Sequence, residues 1–558
     1  MIGNIREADK RSRKSIISDR VTKRLAAAMI PAICTAALMG CASKAAQPLN
    51  VIDDKYRTCY EVFVYSFYDS DGDGIGDLNG LTEKLDYIND GNDKTDDDLG
   101  CNEIWLMPIS PSPTYHKYDV TDYKDIDSAY GSIEDFDRFI DEAHKRGINV
   151  IIDFVMNHSS SEHPWFKEAA SYLRMLPEGE EPDLSECPYV DYYHFTREKS
   201  DGYERLPATK WYYEARFWKG MPDLNLKSDK VRAEFDDITS FWLDHKVDGF
   251  RLDAVTSYET GRSEDIIEEL SWFNDMVKSK SSDAYIVGEA WTGRKDYAPF
   301  YSSGADSFFD FSFGGSDGNI AKVLRGQGTA DDFVQAQINA ETLYQSYNPD
   351  YINAPFYTNH DMPRSSGYYI GDNAVAMTKM AEAMNLLMQG NAFIYYGEEL
   401  GMRGAGKDEN KRGPMPWSAD ESAEGTCSGP FGMDKQENAV QSLEEQKADP
   451  DSIYNFVKHI IRMRNANPAI ARGMTERLTD DAGNSLCTES ISAIKRSWED
   501  DTVAIILNIS DTEDSIKIPS GYKLADSACA SDGSAEAASK GGVLSLPAYS
   551  VAILTAGK

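Results

Sequence analysis

Three acidic side chains close short apolar runs in this chain: Asp253 after Gly249-Phe250-Arg251-Leu252, Glu289 after Tyr285-Ile286-Val287-Gly288, and Asp361 after Tyr357-Thr358-Asn359-His360. Each run reads as a strand, so each acid stands at a strand's carboxyl end. Cleaving a glycosidic bond needs one carboxyl group to protonate the leaving oxygen and a second to attack or to activate water, and acids gathered at one rim suit that reaction. Taken singly, each acid reads as an edge residue in a salt bridge. Arg251 lies two positions before Asp253 and therefore on the same strand face. A cation there keeps Asp253 ionised, as a nucleophile requires, or makes a structural ion pair.

A second chemistry lies in Asp69-Ser70-Asp71-Gly72-Asp73-Gly74-Ile75-Gly76-Asp77. Carboxylates at alternate positions, with glycine at the sixth place, reproduce the first half of a calcium loop, the ligands being Asp69, Asp71, Asp73, the Ile75 carbonyl and Asp77. The twelfth place is Gly80 rather than Glu, so the expected role is a structural Ca2+, with Mg2+ as the less frequent occupant and a solvated acidic turn as the bland reading.

The elements that must position these residues alternate between short β-branched or aromatic runs and longer amphipathic stretches, the pattern of βα units. Eight strands are predicted: Glu61–Ser66, Glu103–Met107, Asn149–Phe154, Gly249–Asp253, Ala284–Glu289, Ser307–Phe311, Ala354–Thr358 and Ala392–Tyr396. Helices are predicted at Ser132–Arg146, Ser263–Lys278, Ala374–Met388 and Asp451–Arg464. The fold class is α/β, a (β/α)8 TIM barrel with its working residues at the carboxyl ends of the strands. The gap between the third and fourth strands is too long for a plain βα connection and implies an inserted subdomain, residues 156–225. The barrel then comprises residues 59–155 and 226–467. Beyond it, residues 468–558 alternate strands with Gly, Ser and Asp turns and read as an all-β sandwich.

The chain has 558 residues, 57 Lys+Arg against 93 Asp+Glu, and a net charge of −36. That balance repels nucleic acid and anionic lipid and leaves neutral ligands and divalent cations as natural partners. The first 40 residues differ, with a basic stretch followed by an apolar run, Leu25 to Gly40, that is too short to span a membrane at roughly 20 residues. The run ends at Cys41, so residues 1–40 read as a lipoprotein signal, Cys41 as the lipidated residue and 41–58 as a linker. The protein is then expected on the outer face of a bacterial cell membrane, touching it only through the lipid, and as a monomer. The later cysteines, Cys59, Cys101, Cys187, Cys427, Cys487 and Cys529, are spaced like neither a zinc site nor a small disulfide scaffold and are expected to be free thiols.

Four segments together resemble glycoside hydrolase family 13, the α-amylase family: Asp153-Phe154-Val155-Met156-Asn157-His158, Gly249-Phe250-Arg251-Leu252-Asp253-Ala254, Gly288-Glu289-Ala290-Trp291 and Asn359-His360-Asp361. They occur in order, and ordered motifs are far more specific than any one alone. The resemblance implies a retaining mechanism with Asp253 as nucleophile, Glu289 as acid/base and Asp361 gripping the distorted sugar. It further implies sugar contacts by His158, His360, Trp291 and Arg364, an aromatic platform at Tyr118, and Arg251 orienting Asp253. The Asp69–Asp77 loop resembles that of oligo-1,6-glucosidases and some bacterial α-amylases. Met221-Pro222-Asp223-Leu224-Asn225 is similar to the segment marking subfamilies intermediate between oligo-1,6-glucosidases and neopullulanases. Many α-amylases carry Lys-His where Thr256-Ser257 stand here, which removes a leaving-side lysine and a carbonyl ligand of the usual interdomain calcium, to which Asn157 would contribute. The implied activity is endo hydrolysis of α-1,4 bonds in starch and maltodextrins, the alternatives being an exo-acting α-glucosidase, a neopullulanase or an α-glucan transglycosylase. A non-catalytic glucan-binding protein is disfavoured by the intact acidic trio.

Overall fold

The computed structural model describes residues 54–556, apart from 93, 260, 435–439 and 534. The proposed signal, Cys41 and residues 41–53 of the linker lie outside the described residues. Among the described residues no helix is long and apolar enough to cross a membrane.

Seven parallel strands form the central sheet. They include β1 (Thr58–Val62), β2 (Glu103–Leu106) and β3 (Asn149–Phe154). The chain then makes a small antiparallel sheet of β4 (Phe195–Thr196), β5 (Tyr203–Arg205) and β6 (Tyr212–Glu214), and returns through β7 (Gly249–Leu252), β8 (Tyr285–Gly288), β9 (Ser307–Phe308) and β10 (Ala392–Tyr395). The sheet order is β10-β1-β2-β3-β7-β8-β9. Its strands are buried on both faces, which explains why they read as continuous rather than alternating apolar runs.

This sheet is a barrel that does not quite close, and here two expectations need correction. Ser307–Phe311 makes a ladder only at Ser307–Phe308, and Ala354–Thr358 makes none, touching the two sheet edges through single parallel bridges, Phe309 to Ala354 and Phe356 to Phe393. Pro355, the second residue of that segment, has no N–H to donate to a ladder. The segment still offers carbonyls: Ala354 O accepts from Asp310 N and Pro355 O from Phe393 N.

The predicted helices are present, and the one at Ile133–Lys145 exemplifies why. Ser132 caps it and Asp135 reaches back to the Ser132 backbone, completing a capping box. Phe136, Phe139, Ile140 and Ala143 recur at helical spacing and form its buried stripe. Such a cap contributes about 1 kcal/mol.

After the barrel, β11 (Glu476–Arg477), β12 (Ile491–Trp498) and β13 (Asp501–Asn508) begin an antiparallel sheet ordered β11-β12-β13-β18-β15. A smaller one, β14-β17-β16, packs on it, where β14 is Asp514–Lys517, β15 Tyr522–Cys529, β16 Ala538–Lys540, β17 Val543–Leu546 and β18 Ser550–Ala556. Strand β13 explains the arrangement. Ala504 and Ile506 join a core with Leu544 and Leu546 of the small sheet, while Val503, Ile505 and Leu507 face the barrel core. Period-2 alternation therefore gives this strand two apolar faces. All six described cysteines are free thiols, as expected.

Candidate active site

Strands β7 and β8 lie side by side with Arg251 opposite Val287 and Leu252 opposite Gly288, which puts Asp253 and Glu289 at adjacent carboxyl ends. Backbone bonds lock the pair: Glu289 N donates to Leu252 O at 2.9 Å and Val255 N to Glu289 O at 3.0 Å. Between them Ala254 takes a left-handed conformation, φ 50° and ψ 40°, which is costly for a residue with a Cβ and typical of functional turns. Its N–H, turned by that conformation, donates to Glu289 Oε2 at 3.1 Å.

One guanidinium organises the acids. Fully buried Arg251 donates through Nη1 to Asp253 Oδ1 at 2.7 Å and to Asp153 Oδ1 at 2.8 Å, and its Nη2 lies 3.2 Å from Glu289 Oε2. The expected same-face placement of Arg251 and Asp253 is what the strand delivers. Burial pushes the Glu289 carboxyl up to about 7, with Arg251 offsetting part of that rise and Asp253 and Asp361 adding to it. A carboxyl group in that range holds its proton near neutral pH and can still give it up.

Asp361 comes in from the far side of the barrel. Burial pushes its carboxyl up, but His360, 3.1 Å away, and Arg412, 2.9 Å away, outweigh that and hold it well below the usual carboxylate range. His360 is itself pushed by burial toward neutrality, and the flanking Asp361 and Glu61 reverse this, raising it to about 10. Its Nδ1 donates to Glu61 at 2.5 Å and its Nε2 to the Tyr118 hydroxyl at 2.8 Å, while Tyr118 donates onward to Asp153 at 2.9 Å. The Tyr118 and His360 rings stack. His158 is buried, kept neutral by that burial, and its Nε2 has no protein partner. A buried ring nitrogen without a partner suits a ligand hydroxyl.

These groups share a cleft of about 400 Å3 lined by Tyr118, His158, Asp253, Glu289, Trp291 and Asp361, so most of the sequence-predicted site meets in one place. Trp291 stacks on Phe311 and leaves about half its surface, 53%, exposed at the rim. A larger cavity of about 820 Å3 opens at the opposite, amino ends of the strands around Glu103 and Asp248 and holds none of the three acids. Size alone therefore does not locate the chemistry.

Arg364 is the correction. It does not line the cleft: its side chain is buried behind the loop, donating to the carbonyls of Lys411 and Tyr396 and to Glu398. Adjacency to Asp361 in sequence does not fix which way a side chain turns, and three acceptors in the interior hold this one inward. The cation in the cleft is instead Arg412, paired with Asp361 and with Asp408 and donating to the Tyr115 hydroxyl at 2.9 Å. Asp408 and Arg412 were not singled out from the sequence. Their i, i+4 spacing signals an ion pair but not its location.

The carboxylates of Asp69, Asp71 and Asp77 each place an oxygen within 4.8 Å of the others, a donor set that fits a divalent cation. Asp73 falls outside this group, its carboxylate accepting from the Ile75 N–H at 2.7 Å. Gly74 at φ +93° allows the loop to turn there. At the interface of insertion and barrel, where Thr256-Ser257 departs from the Lys-His pattern, a side chain supplies the positive charge. Arg216 donates to the Ser257 carbonyl at 2.9 Å and to Glu214 at 2.8 Å, and lies 3.6 Å from Asp223, the partner of Asn157.

Comparison with known proteins agrees with this geometry. The family described as alpha amylase, catalytic domain, matches residues 61–473. Alpha-amylase 3 of Dictyoglomus thermophilum is 36% identical, covering 84% of this chain and 87% of its own, and an oligo-1,6-glucosidase of Heyndrickxia coagulans is 30% identical over 76% and 88%. The solved structure of Eubacterium rectale Amy13B superposes with a TM-score of 0.87 at 53% identity, over 92% of this chain and 98% of that one. With its acids at the rim of a barrel and its sequence matched across most of its length, this chain belongs to the α-amylase family of glycoside hydrolases and is a retaining hydrolase of α-glucosidic bonds.

Proposed function

We propose that the enzyme removes sugars from the non-reducing ends of short α-gluco-oligosaccharides, in place of the endo attack on starch that the sequence motifs suggest. The observation that carries this reading is the network that Arg412 makes on the cleft lining beside Asp361. Arg412, tied at once to Asp361, Asp408 and Tyr115, stands as a wall beside the carboxylate that would grip the reacting sugar. A chain passing through the site in both directions would have to displace that network, whereas a chain end fits against it. Relatives named glucosidases support the same reading.

In this reading Asp253 attacks the anomeric carbon as Glu289 protonates the departing glycosidic oxygen, and Glu289 then takes a proton from the water that releases the sugar. Asp361, His158 and His360 hold the ring hydroxyls through contacts that tighten as positive charge develops, Tyr118 lies beneath the ring, and Trp291 offers a face to the leaving portion. Asp69, Asp71 and Asp77, with the Ile75 carbonyl, would hold a structural Ca2+, which braces the loop and takes no part in the reaction. The basic-then-apolar leader ending at Cys41 supports a lipid-anchored enzyme outside the cell, meeting its oligosaccharides there.

Chromatography of early products tests the proposal. Incubation with maltoheptaose and amylose should release one small sugar from the first minutes, with the chain shortening stepwise. A broad ladder of intermediate lengths from amylose would return the assignment to endo hydrolysis, and release from pullulan that continues past its terminal maltotriose unit would extend it to α-1,6 bonds.

A further inference from the structure

The insertion and the loop after Asp253 meet in one ionic joint. Arg216 follows β6 and lies immediately before Phe217, an aromatic residue exposed over 51% of its surface that lines the cleft with its ring 5.1 Å from that of His158. The guanidinium crosses to the barrel, donating to the carbonyls of Ser257 and Glu259, while its Nε is held by Glu214 within the insertion. Asp223, buried and 3.6 Å from the same Nε, adds a second carboxylate on the insertion side. Thr256 and Ser257 line the cleft on the barrel side, and Phe217 and Met221 line it on the insertion side. One side chain thus ties together two walls that come from different parts of the chain.

The Thr256-Ser257 wall follows directly on Ala254 and Val255, whose N–H groups donate to Glu289, the acid that must face the departing sugar. We infer that Arg216 is a positioning residue for the leaving-group sugar: it fixes the spacing between the Phe217 face and the Thr256-Ser257 turn and so sets how well an oligosaccharide's remainder is held. The inference rests on the α-glucosidic reading of the site. Arg216 touches none of the three acids, so its effect belongs to binding beyond the cleaved bond and not to the bond-breaking groups. Lysine offers one point charge in place of a planar fork and cannot reach two carbonyls and a carboxylate together.

The test compares two substrates in wild type, Arg216→Gln and Arg216→Lys. Maltotriose has a leaving-group sugar to be held, and α-glucosyl fluoride has none. For both variants kcat/KM on maltotriose should fall by about tenfold or more, mainly through KM, while kcat/KM on α-glucosyl fluoride stays within about twofold of wild type. Equal losses on both substrates would overturn the inference by reducing Arg216 to a general structural support, and no loss on either would overturn it outright. Phe217→Ala, which leaves the ionic joint intact, should reproduce the maltotriose defect and covers the case in which the arginine variants do not fold. Wild-type enzyme inert toward both substrates would refute the α-glucosidic reading itself, an outcome distinct from any variant-specific loss.

Discussion

At the scale of single residues, the site is built by one cation shared among several acids, and that sharing sets what substitution will do. Asp253→Asn and Glu289→Gln should each lower turnover of maltotriose by about a thousandfold or more while leaving the fold intact, as judged by circular dichroism. Unchanged turnover in Asp253→Asn would remove it from the chemistry. Glu289 must be protonated to act as an acid, and its carboxyl is raised to about 7, so kcat/KM on maltotriose should fall as pH rises through that value. Fluoride needs no proton to leave, so the same alkaline limb should be missing with α-glucosyl fluoride; its presence with both substrates would assign it to another group. Asp253 and Glu289 were legible in the sequence because each follows the end of a strand, whereas Asp361 follows a segment that only bridges the two sheet edges. Arg364 was not: its partners, Glu398 and the Tyr396 and Lys411 carbonyls, come from a later strand end and loop, and nothing local in the sequence announces them.

Secondary elements were read well where pattern and end signals agreed, as at Ile133–Lys145, and less well where a single residue decided between strand and bridge, as Pro355 does. The acidic loop before the helix Leu78–Glu83 was legible from its alternating aspartates, though not from any rule that would drop Asp73, whose carboxylate turns back on the Ile75 N–H. Asp77 also caps that helix, accepting from Gly80 N at 2.8 Å, so an ion there would couple to the helix start. Adding Ca2+ at about 100 times its Kd should stabilise the fold by roughly 2.7 kcal/mol. Calorimetry should therefore record a lower melting temperature after chelation, and Asp71→Asn should abolish the difference. Equal melting with and without chelator in wild type would count against the metal assignment.

Across the whole molecule, the β-rich C-terminal part and the barrel are joined by buried polar contacts as well as by the apolar face of β13. Arg496 of β12 is fully buried and donates to the carbonyls of Leu387 and Ile470, each at 2.7 Å, and to Gln337 at 2.8 Å. Replacing it with Met strands those acceptors, at a cost of about 3 kcal/mol or more. Urea unfolding of Arg496→Met should then give one transition at lower denaturant; two separated transitions would mean that the parts unfold independently. The antiparallel strands that follow the barrel were legible as a change of periodicity after Asn467, whereas their contact with the barrel was not, since an arginine within a strand reads from sequence as a solvent-facing residue.

Arg251 carries a further consequence. Because one guanidinium meets Asp253 with one nitrogen and approaches Glu289 with the other, a change at that position disturbs nucleophile and acid together. Relatives adapted to more acidic or alkaline surroundings should therefore leave it alone and vary the neighbours of Asp361 and His360, the two groups that bias Glu289 from a distance. An enzyme engineer seeking a shifted working pH should begin with those neighbours.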